Sequence, residues 1–237
     1  MRLASGVGAA IIDRTGGVSA PPFDERNLGG KVGDDPAAVR ENRKRTALEL
    51  GLDPGRVVYM RQVHSATAAY VTEPFGAEPP PLDAVLTDRP GLGLAALSAD
   101  CAPVLVADPE ARIIGAAHSG RPGTAAGVVP ALITAMTEHG ATPSHMTALI
   151  GPAACGACYE VPEELRAEVA ESVPETWSET RTGTPSLDLR AGITAQLTRA
   201  GVPDIQHDPR CTIESPELFS HRRDRPTGRF AGYIWLE

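Results

Sequence analysis

Two imidazoles and a thiol form a set able to hold a metal in this 237-residue chain: His64, Cys101 and His118. Each closely follows an apolar run. VVYM at 57–60 leads through Arg61, Gln62 and Val63 to His64. LGLAAL at 92–97 leads through Ser98, Ala99 and Asp100 to Cys101, and IIGAA at 113–117 runs straight into His118. Short apolar runs rich in β-branched residues read as buried strands. If these strands are neighbours in one sheet, their ends gather the three side chains. Two His and one Cys are the protein ligands of an open zinc site, whose fourth position is left for water. Zinc so held lowers the pKa of its water to about 7, giving hydroxide at neutral pH. The spacings, 37 and then 17 residues, match no local zinc-finger pattern. The same residues also allow a thiol enzyme, with Cys101 as nucleophile and His64 or His118 as base. Taken singly, each is more often an ordinary buried Cys or a satisfied polar His; it is the set of three that points to a site.

The elements that must position this set are legible in order. Gly6 to Ile12 reads as a first strand, closed by the Gly16-Gly17 turn. Residues 17–33 form a long loop punctuated by Pro21, Pro22, Gly29, Gly30 and Gly33. Asp34-Asp35-Pro36 starts a helix that continues from Ala37 to Leu50 and stops at Gly51. Strands follow over Thr67–Thr72, Asp83–Thr87, Leu92–Leu97 and Ala102–Ala107, which places Cys101 at a bend between two apolar strands. Asp100 beside it either orients a ligand or caps the turn. A helix is predicted from Thr124 to His139, a strand over Met146–Ile150, and helices over Glu163–Ser172 and Asp188–Ala200. Thr176 to Pro185 reads as an exposed loop, Ile205–Asp208 as a short strand and Phe230–Leu236 as a last one. The alternation predicts one α/β domain over residues 1–237, a mixed sheet flanked by helices.

Composition bounds the function. Hydrophobic residues make up 42%, enough for a core, but aromatics only 4%, so the core must rest on Ala, Val, Leu and Ile. A net charge of −8 disfavours nucleic-acid or membrane-surface binding. No apolar run approaches the roughly 20 residues of a membrane span, and the N-terminal segment is a poor signal peptide. Four Cys without a secretion signal point to free thiols and a cytoplasmic location. Cys155-Gly156-Ala157-Cys158 is a C-x2-C pair, but no second pair exists and Cys211 alone does not complete a zinc site. We read those cysteines as structural and regard Tyr159 and Glu160 as better pocket candidates. The tail is locally basic, with His221, Arg222, Arg223, Arg225 and Arg229, and suits either an anionic substrate group or internal ion pairs.

RQVHSATAAYV, LSADCAPVLVADP and GAAHSGRPGTAAGVV, which carry the three central residues, resemble the bacterial laccase-domain family. It is also called the YfiH or polyphenol-oxidase-like family, and the purine nucleoside phosphorylase or peptidoglycan editing factor family. Further matches run nearly end to end: DRTGGVSAPPFDERNLG at 13–29, VGDDPAAVRENRKR at 32–45, IGPAACGACYEVP at 150–162, LDLR at 187–190, Cys211-Thr212, and FSHRRDRPTGR ending at 229. The resemblance implies a cysteine-hydrolase-like α/β fold. It implies a Zn2+ site, with Cu2+ as the alternative, and His64, Cys101 and His118 as metal-binding and catalytic residues. The implied activity is phosphorolysis of adenosine, inosine, guanosine and methylthioadenosine, with adenosine deamination beside it. The partners would be purine nucleoside and phosphate, and the chain a monomer or homodimer. Arg14, Asn27 and Lys31 of the long loop become candidates for substrate contact. Arg43 in ENRKR suits a phosphate or a charged outer helix face. Where the family commonly reads HAGWRG this chain has HSGRPG, so Arg121 would serve an anion from one residue earlier. Alternatives are a Cys101-dependent amide hydrolase acting on cytoplasmic UDP-sugar precursors, a copper polyphenol oxidase, and a non-catalytic metal-binding protein.

Overall fold

Residues 102–108, APVLVAD, are buried without exception. A strand apolar on both faces must be covered on both. In the computed structural model, which describes residues 1–76 and 78–237, one cover is a second sheet and the other a layer of helices.

In chain order the strands are β1 (Arg2–Ala4), β2 (Val7–Ile12), β3 (Val57–Tyr59), β4 (Ala68–Tyr70), β5 (Ala84–Thr87), β6 (Gly93–Ser98), β7 (Ala102–Asp108), β8 (Ile113–Ser119), β9 (Thr147–Ile150), β10 (Trp177–Glu179), β11 (Pro185–Leu187), β12 (Asp204–His207) and β13 (Phe230–Leu236). The helices are α1 (Pro36–Glu49), α2 (Arg121–Ala126), α3 (Val128–Glu138), α4 (Glu163–Ser172) and α5 (Leu189–Arg199). One sheet has the order β1-β2-β13-β6-β3 and the other β12-β9-β7-β8-β5-β4, while β10 and β11 form a separate hairpin. Both larger sheets are mixed: β3 runs parallel to β6 in the first, and β7, β8 and β5 alternate in direction in the second.

The sheets face each other through Val7, Ala9, Leu94, Ala96 and Ile234 on one side and Leu105, Ala107, Ile114, Ala116 and Leu149 on the other. Val104 and Val106 of β7 pack oppositely, against Leu132, Ile133 and Met136 of α3 and Ile193 and Leu197 of α5. Ala47 of α1 packs with Val57, Ala95 and Tyr233 on the outer side of the first sheet. The expected α/β architecture is present, as two packed mixed sheets rather than one.

Two further details differ from the sequence reading. The helix predicted over 124–139 is two helices, because Gly127 takes φ 82 and breaks the ladder between them. The loop predicted over 176–185 holds β10 and runs into the first residue of β11, with which β10 forms a hairpin; its exposed Trp177 and polar neighbours carry no buried-strand signal. No helix among the described residues is long and apolar enough to cross a membrane.

Candidate metal centre

β3 and β6 lie side by side and parallel, with Val57 opposite Gly93 and Tyr59 opposite Ala95. Their carboxyl ends therefore open on the same edge. From there the chain crosses to the second sheet within Ala99–Cys101, and β7 pairs with β8 so that Pro103 stands opposite His118. The three strands are thus not neighbours in one sheet: two belong to the first sheet and β8 to the second. The crossover brings their ends together. Asp100 makes the bend at φ 91, its carboxylate accepting from Thr212 Oγ1 at 2.7 Å and from the Arg222 amide at 2.6 Å.

Asp83, which sequence reading treated only as the start of a strand, organises the rest. It is fully buried, and the loop carrying His64 folds around its carboxylate. The amides of Val63, His64 and Ser65 donate to it at 3.1, 3.0 and 2.6 Å, and the Ser65 hydroxyl at 2.9 Å. His118 Nδ1 lies 2.9 Å from the same carboxylate. An ionised carboxylate only accepts, so Nδ1 carries the proton and Nε2 is left as the ligand atom. The one sequence signal was an acid set directly before the buried run AVLT.

Cys101 Sγ lies 3.6 Å from His64 Nε2, and the two imidazole rings stand 4.7 Å apart at 71°. The ligand atoms of His64, Cys101 and His118 all fall within 4.8 Å of one another. Gly120 permits this packing, for a Cβ there would sit 2.6 Å from Cys101 Sγ and 2.7 Å from His64 Cδ2.

The electrostatics match the geometry. Burial alone would raise the Cys101 thiol, but the neighbouring His118, then His64, outweigh it and bring it to about 6. Burial would lower His118, yet the Cys101 sulfur and the Asp83 carboxylate push it up to about 9. Burial opposes ionisation of Asp83 too, and the hydrogen bonds from His118, Ser65 and Val63 hold it well below the usual carboxylate range. At neutral pH the metal-free cluster is a carboxylate, an imidazolium and a thiolate in a row. A thiolate and two imidazole nitrogens, one backed by a carboxylate, fit zinc in both donor type and outer-shell support.

Above the cluster lies a cavity of about 730 Å³. Tyr59, Met60 and Phe75 give it an apolar wall, and Lys31, Arg43, Arg61 and Arg229 a cationic one. Among the described residues no carboxylate lines it, and none of these four cations forms an ion pair. Arg229 donates to the carbonyls of Thr227 and Gly228, and burial pulls its guanidinium below the ordinary value. Arg43 donates to Leu28 O at 2.9 Å and lies 3.9 Å over the Tyr59 ring.

The sequence matches the family described as multi-copper polyphenol oxidoreductase laccase over residues 8–237. The chain belongs to that laccase family. It is 60% identical over 230 residues to a Streptomyces griseus protein named purine nucleoside phosphorylase ORF3, covering 96% of this chain and 94% of that one. It is 50% identical over 224 residues to the Mycobacterium tuberculosis H37Rv protein named purine nucleoside phosphorylase Rv2149c, covering 94% and 90%. Among solved structures, YlmD from Geobacillus stearothermophilus superimposes with a TM-score of 0.91 at 36% identity, over 98% of this chain and 93% of that one. The Bacillus licheniformis protein YfiH gives 0.91 at 32%, over 98% and 94%.

In this laccase-family chain the other candidates divide. Arg43 and Lys31 line the cavity. Arg14 does not: it donates to Asp24 O at 2.7 Å and to its carboxylate at 3.1 Å, and lies over the Phe219 ring. Asn27 is buried beneath the wall, where its Oδ1 accepts from the amides of Gly29 at 2.8 Å and Arg229 at 2.9 Å. It shapes the loop that carries Lys31 and fixes the Arg229 backbone. Arg121 begins α2 and faces Tyr159 rather than the cavity. Tyr159 lies under Arg222, and Glu160 accepts from Thr184; neither lines the cavity. Of the basic tail, His221 and Arg229 reach the cavity, whereas Arg223 is tied to the carbonyls of Thr212, Ser215 and Leu218.

Proposed function

We propose that this chain is a zinc-dependent purine nucleoside phosphorylase, with the metal on His64, Cys101 and His118. Its relatives' names support the reaction class, and one feature of the cavity carries the reading. In an acidic protein, a pocket of nucleoside size presents, among the described residues, four cations without an ion pair and no carboxylate. That wall suits an inorganic phosphate, bound by guanidinium groups through paired N–H donors. Tyr59, Met60 and Phe75 offer the apolar face that a purine needs.

The reaction follows from this division. Arg43, Arg61, Arg229 and Lys31 hold phosphate so that one oxygen attacks the ribose C1′. The bond from C1′ to the purine nitrogen breaks, its electron pair leaves with the base, and the base takes up the proton that the attacking hydrogen phosphate gives up. Zinc on the cluster supplies Lewis acidity at neutral pH. Asp83 keeps His118 in the tautomer that presents Nε2, and holds the His64 loop in place. Adenosine, inosine, guanosine and methylthioadenosine are the proposed substrates. Deamination of adenosine to inosine, with release of ammonia, is the proposed second activity.

The phosphate site is tested by steady-state kinetics at saturating adenosine. Arg229→Gln and Arg43→Gln are each expected to raise the KM for phosphate by about tenfold or more, the loss of roughly 1.4 kcal/mol. Their KM for adenosine should change little. Variants that weaken adenosine and phosphate equally, or neither, contradict the assignment.

One observation favours a second reading. The Cys101 thiolate beside the His118 imidazolium is the resting state of a cysteine nucleophile. It supports an amide hydrolase acting on UDP-sugar precursors, for which metal-free protein should show a burst of acylation at Cys101. Copper oxidase chemistry has less support. Multicopper sites need many His ligands. Of the six His only His64 and His118 belong to a potential metal cluster among the described residues.

A further inference from the structure

Outside the residues that line the cavity, the chain makes the same local shape twice. At Cys155 the amides of Cys158 and Tyr159 both donate to the Cys155 carbonyl at 2.9 Å. At Cys211 the amides of Glu214 and Ser215 donate to the Cys211 carbonyl at 3.1 and 2.9 Å. Each turn thus presents its cysteine and, three residues on, a second metal-ligating side chain: Cys158 in CGAC and Glu214 in CTIE. The turns are fastened to each other. Ala153 and Cys211 form a parallel bridge, Thr212 N donates to Ala153 O at 3.2 Å, and Cys155 N donates to Cys211 Sγ at 3.4 Å. As a result three sulfurs and a carboxylate oxygen lie within 4.8 Å of one another. The sequence alone offered one C-x2-C pair; the fold supplies the missing half as C-x2-E.

We propose that Cys155, Cys158, Cys211 and Glu214 form a second, structural site for a zinc-type divalent cation, independent of the His64–Cys101–His118 centre. Two facing turns that each give ligands at x2 spacing are the usual construction of a closed four-ligand zinc site. Thiolates select a soft or borderline cation over magnesium or calcium. The surroundings agree with an anionic ligand set. Arg181 donates to Cys158 Sγ at 3.4 Å and pairs with Glu214 at 2.6 Å, offsetting charge that a divalent cation leaves over. The Cys155 amide aimed at Cys211 Sγ is the outer-shell hydrogen bond expected of a ligating thiolate. Binding displaces the thiol protons to solvent.

Its place in the fold gives the site a use. Ala154, just before the first turn, donates its amide to Asp100 O at 2.9 Å, and Thr212, just inside the second, donates its hydroxyl to the Asp100 carboxylate at 2.7 Å. A cation joining the turns braces the segments that hold Asp100 in its left-handed bend, next to Cys101.

The test uses reduced full-length chain with the first centre removed, as the double variant His64→Ala/Cys101→Ala, loaded with Co2+. One equivalent of bound metal with a sulfur-to-cobalt charge-transfer band is expected, and the band should vanish when Cys155→Ser and Cys158→Ser are added. Absence of bound metal and of the band in the folded double variant overturns the proposal. So does a Cys155–Cys158 disulfide found by differential alkylation in protein kept reduced. Should the double variant not fold, the wild-type chain must bind one equivalent more than Cys155→Ser/Cys158→Ser. Equal stoichiometries overturn the proposal there.

Discussion

Asp83 has no solvent exposure and accepts from five donors: the amides of Val63, His64 and Ser65, the Ser65 hydroxyl, and His118 Nδ1. Asn in its place would turn an NH2 toward groups that are themselves donors. Asp83→Asn should therefore cost on the order of 3 kcal/mol in urea unfolding. It should also change the cluster's titration. In metal-free protein the Cys101 thiolate is lost as pH falls through about 6, because His118 remains protonated up to about 9 and stabilises it. Alkylation of Cys101, followed by peptide mass spectrometry against pH, is expected to reach half its plateau near 6. In Asp83→Asn the imidazolium loses its carboxylate, so the midpoint should move up. A wild-type midpoint at an ordinary thiol value, about 8.5, contradicts the ion pair. His64, Cys101 and His118 were legible as residues because each ends an apolar run. Asp83 was not, since a carboxylate heading a strand normally reads as a cap, and its burial depends on a loop folding back from nineteen residues earlier.

Element by element, the site is the product of one crossover. β6 ends in the first sheet and β7 begins in the second, with Ala99–Cys101 as the whole connection. The sequence showed Cys101 at a bend between strands, since two apolar runs abut there. It could not show that the runs belong to different sheets, because strand pairing is decided by distant partners such as β13, which joins β6 to β2. The opening of α2 makes the closest approach. Gly120 N-caps that helix with extended backbone, at φ −89, so its glycine is required by space rather than by torsion. Gly120→Ala should keep the fold while displacing Cys101 and His64, and lower metal affinity by about tenfold or more, roughly 1.4 kcal/mol. Competition with a chromogenic chelator measures it, and an unchanged affinity would show that the three ligands have room to spare.

Across the whole molecule, small side chains let two sheets and two helical layers share so few aromatics. Ala96, Ala107 and Ala116 alternate with Leu94, Leu105 and Ile114 in the seam between the sheets, so each large residue there fills space that no neighbour can reclaim. Leu105→Ala is expected to destabilise by about 3 kcal/mol in urea unfolding, as cavities in rigid cores do. A loss below about 1 kcal/mol would mean that the seam collapses around the gap. Composition foretold this aliphatic core but not the cavity. A net charge of −8 conceals four cations brought to one wall from separate segments: Lys31, Arg43, Arg61 and Arg229. The claim that this wall and the metal cluster together form a phosphorolytic centre is tested most directly by product analysis. Protein of known metal content is incubated with adenosine, with and without inorganic phosphate, beside Cys101→Ala and His64→Ala. The expected result is adenine with ribose 1-phosphate, formed only when phosphate is present and lost in both variants together with the metal of the His64–Cys101–His118 centre. Metal-loaded wild-type protein that releases no adenine in phosphate would contradict it.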